Sequence, residues 1–190
     1  MRRGFKAEAE RLAQDLAQKL GIGDTDPVPR DAVAKQLGVE VLAADKVVDR
    51  NRLEELNEIQ PDAVSAATFK LASGKRVVVY NPLHQVGRTN SNIAHELAHL
   101  LLGHTVRNVA TVGNFKLLTC DAEQEEEADW LAACLLLPRP LLYAAARRGW
   151  GYARIADSYS TSETTARFRL NASGVLVQLG RTRMTRPRPG

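Results

Sequence analysis

The chain has 190 residues, 44% hydrophobic and 25% charged, with a formal net charge of +4. That length suits one domain with a buried core, and that balance excludes a disordered or membrane-embedded chain. The charge excess is local: Arg181, Arg183, Arg186 and Arg188 lie in the tail with no acid among them, so residues 1–180 sum to zero and carry no nucleic-acid signal.

The start, Met1-Arg2-Arg3-Gly4-Phe5-Lys6, is charged and lacks an apolar signal core, and no run approaches a membrane span. Cys120 and Cys134 form no disulfide framework and fit a reducing, cytoplasmic setting. Phe5, Ala9, Leu12, Leu16 and Leu20 recur at helical spacing, which predicts an amphipathic helix over 4–20, ended by Gly21, Gly23, Pro27 and Pro29. A short helix follows over Arg30–Leu37, stopped by Gly38, and then a β-rich piece, Val39–Leu42. Residues 45–62 are polar and read as a loop with a helical turn.

Ala66–Leu71 and Lys75–Tyr80 are strand-like runs joined by Ala72-Ser73-Gly74, a hairpin pattern closed by Asn81-Pro82. A helix is predicted from Arg88 to Leu102, ended by Gly103, and a loop over 105–119. A second long helix covers Cys120–Leu137 and stops at Pro138; short helices occupy 139–171, and Val175–Val177 is a short apolar end piece. The expected architecture is one α+β domain over 1–178, a small, mostly antiparallel sheet with helices packed on one side. A basic, disordered tail over 179–190 completes it.

The motif that carries chemistry is His95-Glu96-Leu97-Ala98-His99, inside the apolar run Ile93–Leu102. Residues four apart share a helix face, so both imidazoles can bind one zinc ion, with Glu96 one position round and able to reach a water on it. Three polar groups on a buried face are costly, and a metal offsets that cost. A catalytic zinc takes three protein ligands and leaves a fourth position for water, so a third ligand must come from another element. The acidic run Glu123-Gln124-Glu125-Glu126-Glu127-Ala128-Asp129 opens the second long helix. Acids there favour the helix dipole, which accounts for Glu123. Glu125 and Asp129 are in register with each other on a largely buried helix. Glu125 is therefore the expected ligand and Asp129 the carboxylate that orients a ligand histidine, with Glu126 and Glu127 as alternatives. His104 lies five residues past His99, about 140° round a continuous helix, unless Gly103 bends the chain back. It is expected as a packing or outer-shell residue.

These residues carry a resemblance. Asn92-Ile93-Ala94-His95-Glu96-Leu97-Ala98-His99-Leu100-Leu101-Leu102-Gly103-His104, with Glu125-Glu126-Glu127-Ala128-Asp129-Trp130-Leu131-Ala132-Ala133 and Leu135-Leu136-Leu137-Pro138, resembles the ImmA/IrrE family of zinc metallopeptidases. The strand–turn Val78–Pro82 resembles its lead-in. Ser91, where an aromatic is frequent, and Leu137, where Met is usual, depart from it. The resemblance implies a gluzincin-like fold, one zinc per chain on His95, His99 and Glu125, and Glu96 as general base. It implies a site-specific endopeptidase that cuts a helix-turn-helix repressor and relieves repression in mobile elements, phage-like regions or stress responses. The edge strand Lys75–Tyr80 would pair with the extended substrate, which places Tyr80 at the substrate.

A second class of function is carried by residues 152–171, whose spacing resembles a helix-turn-helix with its turn at Ser160-Thr161-Ser162. Ser160 stands where glycine is usual, and Arg154, Arg167 and Arg169 are too scattered for a phosphate-binding face, so these helices are expected to pack on the core. A zinc-binding regulator without turnover is a third reading, against which intact Glu96 argues.

Overall fold

Helix α1 (Phe5–Lys19) buries Phe5, Ala9, Ala13, Leu16 and Ala17. Its stripe is shifted from the predicted one, since Ala13 goes inward and Leu12 stays 40% exposed. The computed structural model describes residues 1–60, 65–104, 108–112 and 115–185, with side chains for 1–60, 65–104 and 120–180. Helix α2 (Arg30–Leu37) leads into β1 (Glu40–Ala43). Where 45–62 reads as a loop with a helical turn, the helical part is larger: a 3-10 turn (Ala44–Lys46) and helix α3 (Arg50–Ile59) form. The Asp49 side chain caps α3 by accepting from the Asn51 and Arg52 amides, a signal buried in a polar stretch.

Strands β2 (Ala66–Lys70) and β3 (Arg76–Tyr80) form the expected antiparallel hairpin. The sheet order is β1-β3-β2, with β1 parallel to β3, so the sheet is mixed. This corrects the edge-strand expectation for Lys75–Tyr80. β3 is the middle strand, its main chain paired with Glu40–Ala43 on one side and Ala66–Lys70 on the other. Adjacent Val77 and Val78 are both buried, so both faces of β3 are covered, as a middle strand allows. Among the described residues, β2 is the edge that lies toward the next helix.

That helix, α4 (Val86–Leu101), packs on β2, β3 and α2, and its longest contact is with α5 (Ala122–Leu136). Ile93, Ala94, Leu97 and Ala98 form its buried stripe, with Ile93 and Leu97 each contributing about 1.5–3 kcal/mol by burial. α5 begins with a capping box: the Asp121 carboxylate accepts from the Gln124 amide, and the Gln124 side chain accepts from the Asp121 amide. Between α4 and α5, where a loop is expected over 105–119, β4 (Asn108–Val112) and β5 (Phe115–Thr119) pair antiparallel.

Helices α6 (Arg139–Arg147), α7 (Tyr152–Ser158) and α8 (Glu163–Ala172) follow. Helix α9 runs over Val175–Thr185, so regular structure continues into the segment predicted as a disordered tail; residues 186–190 lie outside the described residues. The α7–α8 turn docks on the first turns of α4. Ser91 is the hub: its hydroxyl donates to the Gly87 carbonyl, accepts from the Ser162 amide at 3.0 Å, and lies 3.1 Å from the Thr161 hydroxyl. Gly87 is required there, because a Cβ would sit 2.3 Å from the Thr161 carbonyl oxygen. Ser160 takes a left-handed φ of 48°, a strain of about 1–2 kcal/mol, and its carbonyl is held by Asn90 Nδ2 at 2.9 Å. Ile155, Ala156, Ala166, Leu170 and the wholly buried Arg169 turn inward. Among the described residues no helix is long and apolar enough to cross a membrane.

Candidate metal centre

His95 and His99 lie one turn apart on α4, on the side that meets the start of α5. Their Nε2 atoms are 3.0 Å apart, and Glu125 Oε2 on α5 lies 3.1 Å from His95 Nε2 and 3.6 Å from His99 Nε2. Tetrahedral coordination at about 2.0–2.1 Å separates neighbouring donor atoms by about 3.3 Å, so these three atoms fit three corners of one site. The set of two imidazoles and one carboxylate is a donor set that zinc takes.

Electrostatics give the same picture. Burial works against charge on His95, but hydrogen bonds to Asp129 and Glu125 outweigh it and raise the imidazole to about 10. Burial, and then the charge on His95, push His99 down to about 4. The hydrogen bond from His95 holds Glu125 below the usual carboxylate range. The metal-free cluster therefore keeps one proton on His95, and a cation that binds all three groups must displace it.

Around this cluster the other predicted residues take distinct places. Asp129 Oδ1 accepts from His95 Nδ1 at 2.8 Å, one helical turn beyond Glu125. Glu126 turns away to the Met1 amine at 2.6 Å, and Glu127 is buried on another side of α5. His104 comes back toward the cluster because Gly103 ends α4 in a left-handed conformation. The His104 amide donates to the His99 carbonyl and the Gly103 amide to the Leu100 carbonyl, a Schellman motif. His99 Nδ1 and His104 Nδ1 are then 3.0 Å apart.

Glu96 points to the sheet, where the Thr68 hydroxyl donates to its Oε2 at 2.6 Å. Thr68 sits mid-strand in β2, and as an ordinary strand former it gives no signal in the sequence. Tyr80 lies at the end of β3 between Ala43 and Ala66, with the Arg30 guanidinium 5.7 Å above its ring. Beside His95 and Asp129 a cleft of about 860 Å³ opens between α4 and the α7–α8 turn, lined among others by Arg88, Asn92, Asp157 and Thr165. It lies within the size range of ligand clefts. Cys134 is in the core, its thiol pushed up to about 12 by burial, and takes no part.

An α+β domain with two same-face histidines on one helix, an in-register carboxylate on the next and an acid beside an edge strand has the plan of a metallopeptidase. The IrrE N-terminal-like domain of peptidase family M78 matches residues 34–171, and the chain belongs to that family. The search of curated proteins gives no match.

Proposed function

We propose that the chain is a zinc-dependent endopeptidase that cuts a helix-turn-helix DNA-binding repressor at one site. The observation that carries the reading is the convergence of His95 Nε2, His99 Nε2 and Glu125 Oε2 beside a carboxylate, Glu96, that binds none of them. When bound, zinc supplies Lewis-acid polarisation of the scissile carbonyl and activation of water. Glu96 takes a proton from the attacking water and returns it to the leaving amide nitrogen. The Thr68 hydroxyl occupies Oε2, so the proton is carried at Oε1 and the carboxylate stays aimed. Asp129 holds His95 with its Nδ1 proton outward and Nε2 toward the metal. β2, an edge strand among the described residues, offers main-chain groups to an extended substrate beside Glu96.

The repressor as substrate rests on the resemblance of the α4 and α5 motifs. The α7–α8 pair is read as packing, with partners that are protein and not nucleic acid: Ile155, Ala166 and Leu170 are buried, and Arg169, one of its few basic residues, is wholly buried. The test is cleavage of the repressor encoded beside this gene by the zinc-loaded chain. Cutting at one bond that disappears with Glu96→Gln is expected. An intact repressor with the zinc-loaded wild-type chain overturns the substrate, and cutting that survives Glu96→Gln overturns the role of Glu96.

A further inference from the structure

Glu127 is the odd member of the acidic run. Its side chain is 7% exposed, as is that of His104, and a buried carboxylate and a buried imidazole are each costly without partners. They face one another, with His104 Nε2 3.5 Å from Glu127 Oε2. The other oxygen of Glu127 accepts twice from Arg2, from the main-chain amide at 3.2 Å and from Nε at 3.1 Å. Arg2 is tied in turn to Glu8 at 3.0 Å. A polar line thus runs from the segment ahead of α1 to His99.

One proton arrangement satisfies that whole line. With His99 Nε2 presenting its lone pair to a metal, the His99 proton sits on Nδ1 and is donated to His104 Nδ1. His104 then carries its own proton on Nε2, toward the Glu127 carboxylate. The opposite His104 tautomer sets two N–H groups against each other and leaves the carboxylate oxygen facing a lone pair. We propose that Glu127 and Arg2 are positioning residues for the metal centre: Arg2 fixes Glu127, Glu127 fixes the His104 tautomer, and His104 holds His99 with Nε2 toward the metal. The proposal rests on reading His95, His99 and Glu125 as the ligands.

The test is zinc affinity, measured by competition against a chromophoric chelator, together with thermal unfolding of the metal-free chain. Glu127→Leu weakens zinc about 10–100-fold, the range for partners behind a metal ligand. Glu127→Gln recovers part of that loss, because its amide oxygen still presents an acceptor on the Nε2 side of His104. Arg2 is 55% exposed, so Arg2→Ala leaves the fold intact, and it weakens zinc severalfold. Arg2→Ala placed on Glu127→Leu adds nothing, since Arg2 acts only through Glu127. Arg50→Ala, which removes a comparably exposed ion-paired arginine, leaves zinc affinity unchanged. Unchanged affinity in Arg2→Ala, a lower unfolding temperature with wild-type affinity in Glu127→Leu, or additive losses in the double variant each overturn the relay. Absence of zinc binding by the wild-type chain overturns the ligand reading itself.

Discussion

Two polar clusters that share helix α5 behave in opposite ways. Arg169 is wholly buried, yet its donors are answered: Nε and Nη2 reach the Leu137 carbonyl, and Nη1 and Nη2 reach the Glu10 carboxylate. It ties α8 to the end of α5 and to α1, and needs nothing from outside. At the proposed metal centre, three atoms that can each present a lone pair lie within 4.8 Å of one another, and a proton on His95 relieves them. A closed polar cluster is architecture, whereas an open one made of converging acceptors has the donor set a cation would complete. Both contain charged residues, and only their surroundings separate them.

That contrast is broken most severely on the open side. Glu96→Gln should lower turnover by about 10²–10⁴-fold while zinc content stays at one per chain, measured by peptide cleavage and elemental analysis. Unchanged cleavage would remove Glu96 as the base.

On the closed side, Arg169→Ala should cost about 3–5 kcal/mol in denaturant unfolding, because it strands Glu10 and the Leu137 carbonyl. Zinc affinity of the folded fraction should be unaltered. A cost under about 1 kcal/mol would show that the pair is not a structural tie.

The proton on His95 sharpens the comparison further. Its pKa is raised to about 10, so zinc bound as proposed displaces one proton throughout the neutral range, while His99, lowered to about 4, adds none. Affinity should therefore rise about tenfold per pH unit from pH 5 to 9 and level off as pH passes about 10. The metal-free fold responds with the opposite sign: the stabilisation from His95 is complete below about pH 6.5 and is lost as pH rises through about 10. A slope of zero or of two protons in the binding titration would contradict the arrangement.

The smallest effect belongs to Thr68. Thr68→Val keeps the strand and removes one hydrogen bond to a carboxylate, so kcat should fall about tenfold with KM unchanged. A rise in KM alone would place Thr68 at the substrate instead.

Much of the centre was legible because its information is local. Spacing four on a helix puts His95 with His99 and Glu125 with Asp129, and periodicity found α1, α4 and α5 to within a few residues. Locality also explains the misses. The polar stretch around α3 hid a helix whose start rests on the cap from Asp49, and the apolar end piece at Val175 gave no sign that α9 would continue through Arg181 and Arg183 to Thr185. Glu127 did leave a trace: it is in register with Leu131 and Cys134 on the buried face of α5, which marks an acid needing a partner inside.

The sequence by itself determined the chemistry, since residue type and helical spacing fix which groups can converge on one ion. Tertiary structure alone decided which edge strand stands beside Glu96, because β1 pairs with one side of β3 and, among the described residues, leaves β2 as an edge on the other. It also decided that Thr68, Glu127 and Arg2 stand around the centre and that Arg169 does not. Long-range partners of this kind depend on how layers pack, and no local periodicity encodes them.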